Sequence, residues 1–386
     1  MKILFDLVTT QGRIGGAQEY VRTVFYKLLN ELSSQNNIEL IAAIDSSIGK
    51  YPYSDLSKES INNMGIKTID LNGKRLSKVV HDEEIDTVFI GMAQMWGSRY
   101  DVEKLRCRVI CVVHDICDEE YRNSKINWYL RLYTPWIFLK KIIRRLLGLD
   151  NYVTRMNNIV KMCNNNNNTD LITVSNYSRF SIDYYLPSIT NKIHVLYSPE
   201  RQTDYEETIE NTTLNDIISQ KKKYYLLLSA NRELKNARKT LSAFKTYSDK
   251  YDSNAYILTT GSISQQFDNH IVLPYLSQSD LIHAYKHSYA FIFSSFFEGF
   301  GYPPIEAMRF GVPVLASNVT SIPEILGDAA FYFSPFYESD IYKALVSLDD
   351  NEYKKYSAKS IERYEMIKNR QINDLNKLIN IIIRNN

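Results

Sequence analysis

The sequence predicts an α/β protein built of two Rossmann-like domains, and three observations lead there. At 386 residues the chain is long for a single core, so two domains are the natural division. Short apolar runs alternate with amphipathic stretches in both halves, the pattern of parallel sheets covered by helices. Between the halves, Ser198–Lys223 opens with Ser-Pro, is polar and acid-rich and closes on three lysines, which reads as a linker plus a surface helix. These features place a first domain at 1–200, a second at 201–350 and a tail at 351–386. The helical periodicity of Tyr353–Ile383 lets that tail fold back toward the first domain.

The individual elements follow from periodicity. In the first half the expected strands are Lys2–Val8, Glu39–Ile44, Lys67–Leu71, Thr87–Gly91, Arg108–His114, Leu171–Val174 and Lys192–Tyr197. Gly16–Leu32 is the clearest helix, with Val21, Val24, Leu28 and Leu32 on one face. In the second half the expected strands are Tyr224–Ser229, Ala255–Thr259, Ile271–Leu273, Ala290–Phe293, Pro313–Ala316 and Ala330–Phe333. Asn236 is expected to cap a helix that buries Ala237, Leu241, Phe244 and Tyr251. Ser277 and Asp280 form a capping box ahead of Leu281–His287. The run Asn164–Asn168 reads as a surface loop.

Composition narrows the function. Hydrophobic residues at 44% and charged residues at 23% are ordinary for a soluble globular protein. A balance of 46 basic against 44 acidic residues, net +2, argues against general nucleic-acid binding. The four cysteines, Cys107, Cys111, Cys117 and Cys163, lack paired metal-ligand spacing and read as reduced, mostly buried thiols of a cytoplasmic protein. The opening MKILFDLVTT is a first strand and not a signal peptide, and no run is apolar enough to span a bilayer.

The chemistry concentrates in Ser294–Asp328, which reads SSFFEGFGYPPIEAMRFGVPVLASNVTSIPEILGD. A strand runs into a turn holding Glu298, Gly299 and Gly301, and Pro303 and Pro304 suit the start of a short helix ended by Gly311. Glycines allow close backbone approach, and a helix start offers amides and a positive dipole end, so the turn is suited to a diphosphate. Glu298 in the loop and Glu306 near the helix start add acceptors for paired hydroxyl donors. Phosphate in the middle with hydroxylated rings at either end describes a nucleotide sugar. Each glutamate alone reads equally as a solvated side chain; their combination with the glycines does not.

That stretch closely resembles the E-x7-E region of the retaining glycosyltransferases of family 4, which have the GT-B fold. IGGAQEYV (Ile14–Val21), VVHD (Val112–Asp115), TVSNYSRFSI (Thr173–Ile182) and SANRELKNARKTLSAF (Ser229–Phe244) resemble further family segments in the same order, so the likeness covers nearly the whole chain. The resemblance implies two Rossmann-like domains facing each other across a cleft, with the first holding the acceptor and the second the donor. It implies that Glu306 binds the donor ribose, Glu298 reaches the transferred sugar, and the amides of Gly299, Phe300, Gly301 and Tyr302 touch the diphosphate. Arg232 and Lys235 are the implied neutralising cations, but Leu234 stands where the family carries a basic residue, so Arg238 competes with Arg232. Their other reading is a solvated helix face. Gly15 and Gly16 are implied to face the diphosphate or the acceptor; alone, they would be a turn. His114, at the end of an apolar strand, is implied to contact the donor sugar; its other reading is structural. Fixed cations and amides stabilise charge developing on the leaving group, so no metal or other cofactor is required.

Residues 121–149 contain seven Lys or Arg and no acid. Lys140, Lys141, Arg144 and Arg145 share one helical face, with Trp136, Leu139, Ile142, Ile143, Leu146 and Leu147 over much of the remainder. Two readings stand: a helix at 128–149 lying on an anionic membrane surface, or a helix of the first domain with its lysines in water. The first suits a peripheral enzyme at the inner face of the cell membrane acting on a lipid-linked glycan. The expected activity is therefore retaining transfer of a hexosyl group from a nucleoside diphosphate sugar to a growing glycan, as in bacterial surface polysaccharide (O-antigen or capsule) synthesis. A nucleotide-sugar epimerase on the same architecture and a non-catalytic nucleotide-sugar-binding subunit of a transferase complex are the alternatives.

Overall fold

The computed structural model describes residues 1–384 apart from 13, 34–36, 50, 118, 121–138, 140–142, 144–151, 202–207, 262 and 264–266. The chain divides into two compact units, Met1–Arg201 with Arg370–Asn386, and Gln202–Asn369. Each carries its own parallel sheet.

The first sheet contains β1 (Lys2–Asp6), β2 (Glu39–Ile44), β3 (Lys67–Asp70), β4 (Thr87–Ile90), β5 (Arg108–Val113), β6 (Thr169–Thr173) and β7 (Ile193–Val195). Its order is β3-β2-β1-β4-β5-β6-β7. Every pairing in it is parallel, for example Leu4 with Ile41 on one side and Val88 on the other. Strands covered on both faces read as unbroken apolar runs, which is why RVICVV over Arg108–Val113 is buried throughout. The second sheet contains β8 (Tyr224–Leu227), β9 (Tyr256–Thr260), β10 (His270–Leu273), β11 (Ala290–Phe293), β12 (Val314–Ser317) and β13 (Ala330–Phe333), ordered β10-β9-β8-β11-β12-β13. All the strands expected from the sequence form, with ends within three residues of the apolar runs that announced them. The helix Gly16–Leu32 has the expected bounds.

Both cores are rich in aromatic rings. Phe5 stacks on Phe89 at 4.7 Å in the first unit, and Tyr225 meets Phe244 edge-on at 5.3 Å in the second. The long helix Asp350–Ile383 contributes to both units. In the second unit, Ser360 Oγ donates to Val312 O at 3.0 Å and Arg363 donates to the carbonyls of Glu324 and Ile325. In the first, buried Asp374 accepts the amide of Tyr197 at 3.0 Å and Gln371 donates to Ser198 O at 2.6 Å.

Several local expectations are corrected. Asn166, in the asparagine run, is buried: its amide donates to Cys107 O at 2.7 Å and its carbonyl accepts from Asn168 N at 3.0 Å. The other four asparagines of the run are exposed as expected; the run overlaps the end of a helix (Tyr152–Asn165), and Asn166 ties that end to the segment before β5. Tyr251 is 63% exposed because the helix Ala237–Lys250 stops before it. Asn236 precedes that helix in the left-handed conformation (φ 56°), and its side chain donates to Pro335 O at 2.8 Å instead of capping. The Ser277 hydroxyl does accept Asp280 N, but the Asp280 carboxylate turns to the amides of Glu210 and Asn211. Among the described residues no helix is long and apolar enough to cross a membrane. Of the basic stretch, only Leu139 and Ile143 are among the described residues, both exposed; the rest of that reading lies outside them.

Candidate active site

In the second unit, sequence neighbours of β8 lie on one side of it and β11 on the other, so the order reverses between these two strands. Open α/β sheets bind ligands at the carboxyl ends of strands at such a switch point. Two loops leave the sheet there. The loop after β8 carries Arg232 and a single 3-10 turn, Glu233–Lys235; the loop after β11 carries Glu298 to Gly301.

The two loops are joined by hydrogen bonds. Phe296 N donates to Leu234 O at 2.8 Å, and Ser294 Oγ donates to Lys235 O at 2.9 Å while accepting from Thr240 Oγ1 at 2.7 Å. Ser321 Oγ donates to Glu298 O at 2.9 Å and Thr320 Oγ1 accepts Glu298 N at 3.2 Å. These hydroxyls were not singled out from the sequence. The signal was present: serines 294, 295, 317 and 321 sit in otherwise apolar stretches and are all buried.

This frame brings Lys235 and Glu298 together. Lys235 Nζ donates to Glu298 Oε1 at 2.6 Å, with the two side chains 14% and 18% exposed. The ammonium also lies 4.8 Å from the centre of the Phe293 ring. A lysine has three protons and Glu298 takes one of them, so further anionic oxygens fit the same cation. Arg232 and Arg238 are exposed, one preceding the 3-10 turn and the other in the first turn of Ala237–Lys250.

Gly301 has φ +102°, and a Cβ there would meet Phe293, the ring beneath Lys235, at 3.4 Å. Replacing Gly301 by alanine is expected to lower unfolding stability by about 1–3 kcal/mol through backbone strain, read as a drop in thermal midpoint. An unchanged midpoint would show that the turn relaxes freely. The helix that follows, Tyr302–Met308, is short and has prolines at 303 and 304, which lack N–H groups. It therefore offers fewer free amides than a helix start without prolines. Glu306 is the fifth of that helix's seven residues and not at its start; Tyr285 Oη donates to its Oε2 at 2.8 Å. Gly299 is half-buried, and Phe300 and Tyr302 are buried and meet edge-on at 5.5 Å.

The first unit has its own switch point between β1 and β4. Gly15 caps the helix that begins at Gly16. A Cβ at Gly15 would lie 2.6 Å from Gln18 Oε1. His114 follows β5, and its Nε2 meets Gly91 O at 2.9 Å. Since a carbonyl only accepts, Nε2 carries the ring proton. Burial pushes the imidazole pKa down from 6.5 to about 4, so the ring is neutral near pH 7. A group whose folded pKa lies below its unfolded one costs stability as pH falls through that window, because only the unfolded chain takes up the proton. Between pH 6.5 and 4 the protein is expected to lose about 1–3 kcal/mol more than a His114→Asn variant in urea titrations. Equal losses would contradict the assignment.

Known proteins resemble this chain in sequence and in fold. Residues 215–364 match the family described as Glycosyl transferases group 1. The chain is 27% identical over 256 residues to O-antigen chain mannosyltransferase RfbU of Salmonella typhimurium, covering 63% of this chain and 65% of the relative. It is 44% identical over 84 residues to O-antigen chain mannosyltransferase B of Escherichia coli, covering 21% of this chain and 22% of that protein. The matched segments thus span less than two thirds of either relative. Among solved structures, Anabaena Alr3699/HepE, crystallised with UDP and glucose, superposes with a TM-score of 0.63 at 14% identity, covering 99% of both chains. The fold is GT-B.

Proposed function

We propose, from the premise that residues 215–364 belong to the group 1 glycosyl transferases, that the chain moves a hexosyl group from a nucleoside diphosphate sugar onto a growing glycan. Two relatives named as O-antigen mannosyltransferases support a mannosyl donor and a bacterial surface polysaccharide as product. The observation that carries the reading is the Lys235–Glu298 pair at the switch point of the second sheet. Breaking the bond between the sugar and the diphosphate places negative charge on the leaving oxygen. Lys235 neutralises it from a fixed position, joined by Arg232 or Arg238, without any metal in the scheme. Glu298 holds Lys235 in place and accepts from hydroxyls of the transferred sugar, and Glu306 accepts from the ribose.

The resemblance of the E-x7-E stretch to retaining glycosyltransferases supports transfer with retention, in which the acceptor attacks on the face from which the diphosphate departs and the donor phosphate takes the proton. A lipid-linked acceptor at the inner face of the cell membrane, reached from the cytoplasm, is the setting that the basic stretch 121–149 favours. The test is a thermal-shift screen against UDP-, GDP-, ADP- and dTDP-sugars, followed by product analysis with the preferred donor. One base series is expected to raise the midpoint, and NMR of the product is expected to show the anomeric configuration of the donor. Inverted product would refute retention, and an isomerised nucleotide sugar formed without acceptor would refute transfer.

A further inference from the structure

β11 divides its side chains between the core and the candidate site, because successive residues of a strand face opposite sides of the sheet. Ala290 and Ile292 belong to the core that holds Leu241 and Phe244. Phe291 and Phe293 take the other side, stacked on each other at 6.0 Å with 28° between their planes. Tyr285 meets Phe291 edge-on at 5.4 Å, and its hydroxyl is the one that donates to Glu306 Oε2. The row of rings therefore starts beside Glu306 and ends at Lys235, whose Nζ lies 4.8 Å from the centre of Phe293. Phe293 is 3% exposed, and Gly301 leaves room at its edge, where a Cβ would lie 3.4 Å from Cε1. The face of an aromatic ring is electron-rich and attracts a cation without itself carrying charge. A second carboxylate in that place would cancel the positive charge that a diphosphate needs. A ring holds the ammonium and leaves that charge available.

We propose that Phe293 is a positioning residue for Lys235: its ring face holds the ammonium, so that Lys235 is not drawn wholly onto Glu298 and presents a proton to the diphosphate. The proposal rests on the transferase reading above, and it adds what keeps the main cation of that reading in place. Two partners of different kinds fix the ammonium, Glu298 at 2.6 Å through a hydrogen bond and Phe293 through its ring. The stacking on Phe291 holds the ring itself in its plane. An aliphatic side chain of similar bulk fills the same space and offers the cation no attraction, so the contact is electrostatic and separable from packing.

The experiment replaces Phe293 in the full chain, by site-specific incorporation, with phenylalanines carrying one, two and three ring fluorines. These keep nearly the same shape and weaken the negative face of the ring step by step. Turnover is expected to fall with each fluorine, reaching about 3- to 30-fold below the parent at three, with a smaller change in donor KM. The same series at Phe244, in the core on the other side of the sheet, is expected to leave kcat unchanged. In Lys235→Ala the series at Phe293 is expected to have no further effect, since the cation that the ring holds is gone. A flat series at Phe293 overturns the ring's role while leaving the transferase reading intact. A series that falls equally at Phe244, or equally in Lys235→Ala, does the same. Should turnover in Lys235→Ala be too low to measure, the comparison of Phe293 with Phe244 still decides. Wild-type turnover in Lys235→Ala would instead refute the reading on which the proposal rests.

Discussion

Lys235→Ala is expected to lower turnover by about 100- to 1000-fold, the scale of removing one fixed group that stabilises transition-state charge in a shielded site. The reason lies in its position. Lys235 ends the 3-10 turn after β8, its carbonyl is held by Ser294, and its ammonium lies between Glu298 and the Phe293 ring. A cation fixed before the substrate arrives needs no reorganisation when the diphosphate takes on charge. Glu298→Ala is expected to lower turnover as well, since it frees Lys235 from its 2.6 Å bond and removes an acceptor for the sugar. Because the two side chains touch, their losses will not add: the double variant is expected to fall little below Lys235→Ala alone. Steady-state kinetics with saturating donor makes the comparison. Additive losses would mean that the pair acts as two independent groups.

Glu306→Ala is expected to act on binding. An ionised acceptor of ribose hydroxyls contributes about 1.5–3 kcal/mol, so the Kd for the nucleotide should rise by roughly 10- to 100-fold. Tyr285→Phe removes only the hydroxyl that donates to Glu306 Oε2 at 2.8 Å and is expected to weaken binding less. Titration calorimetry with the free nucleoside diphosphate separates this from effects on the sugar. If Glu306→Ala binds nucleotide as tightly as the parent while losing turnover, its carboxylate meets the transferred sugar and not the ribose.

The turn holding Glu298 and the helix carrying Glu306 were legible because glycines and prolines mark a strand–turn–helix in any context, whereas Lys235 was singled out only through the family resemblance of its segment. Strands such as Ala290–Phe293 were legible to the residue because burial on both faces demands an unbroken apolar run. The strand order was not, since apolar runs do not say which neighbours pair. That order is what puts the loops of β8 and β11 side by side and makes a pair of two residues far apart in sequence. The Lys235–Glu298 contact was missed for a related reason: both were assigned to ligands, and neither to the other. Asn166 misled because an asparagine run looks like solvent-exposed sequence, whereas one amide of the run bonds Cys107 O in the interior.

The central claim is that the second unit holds the diphosphate at Lys235, beside the turn of Gly299 to Gly301. Crystals of the full chain soaked with the preferred nucleoside diphosphate test it most directly. Phosphate oxygens are expected within hydrogen-bond distance of Lys235 Nζ and of at least one of Arg232 and Arg238, with the ribose against Glu306. Diphosphate bound away from the carboxyl ends of β8 and β11 would contradict it.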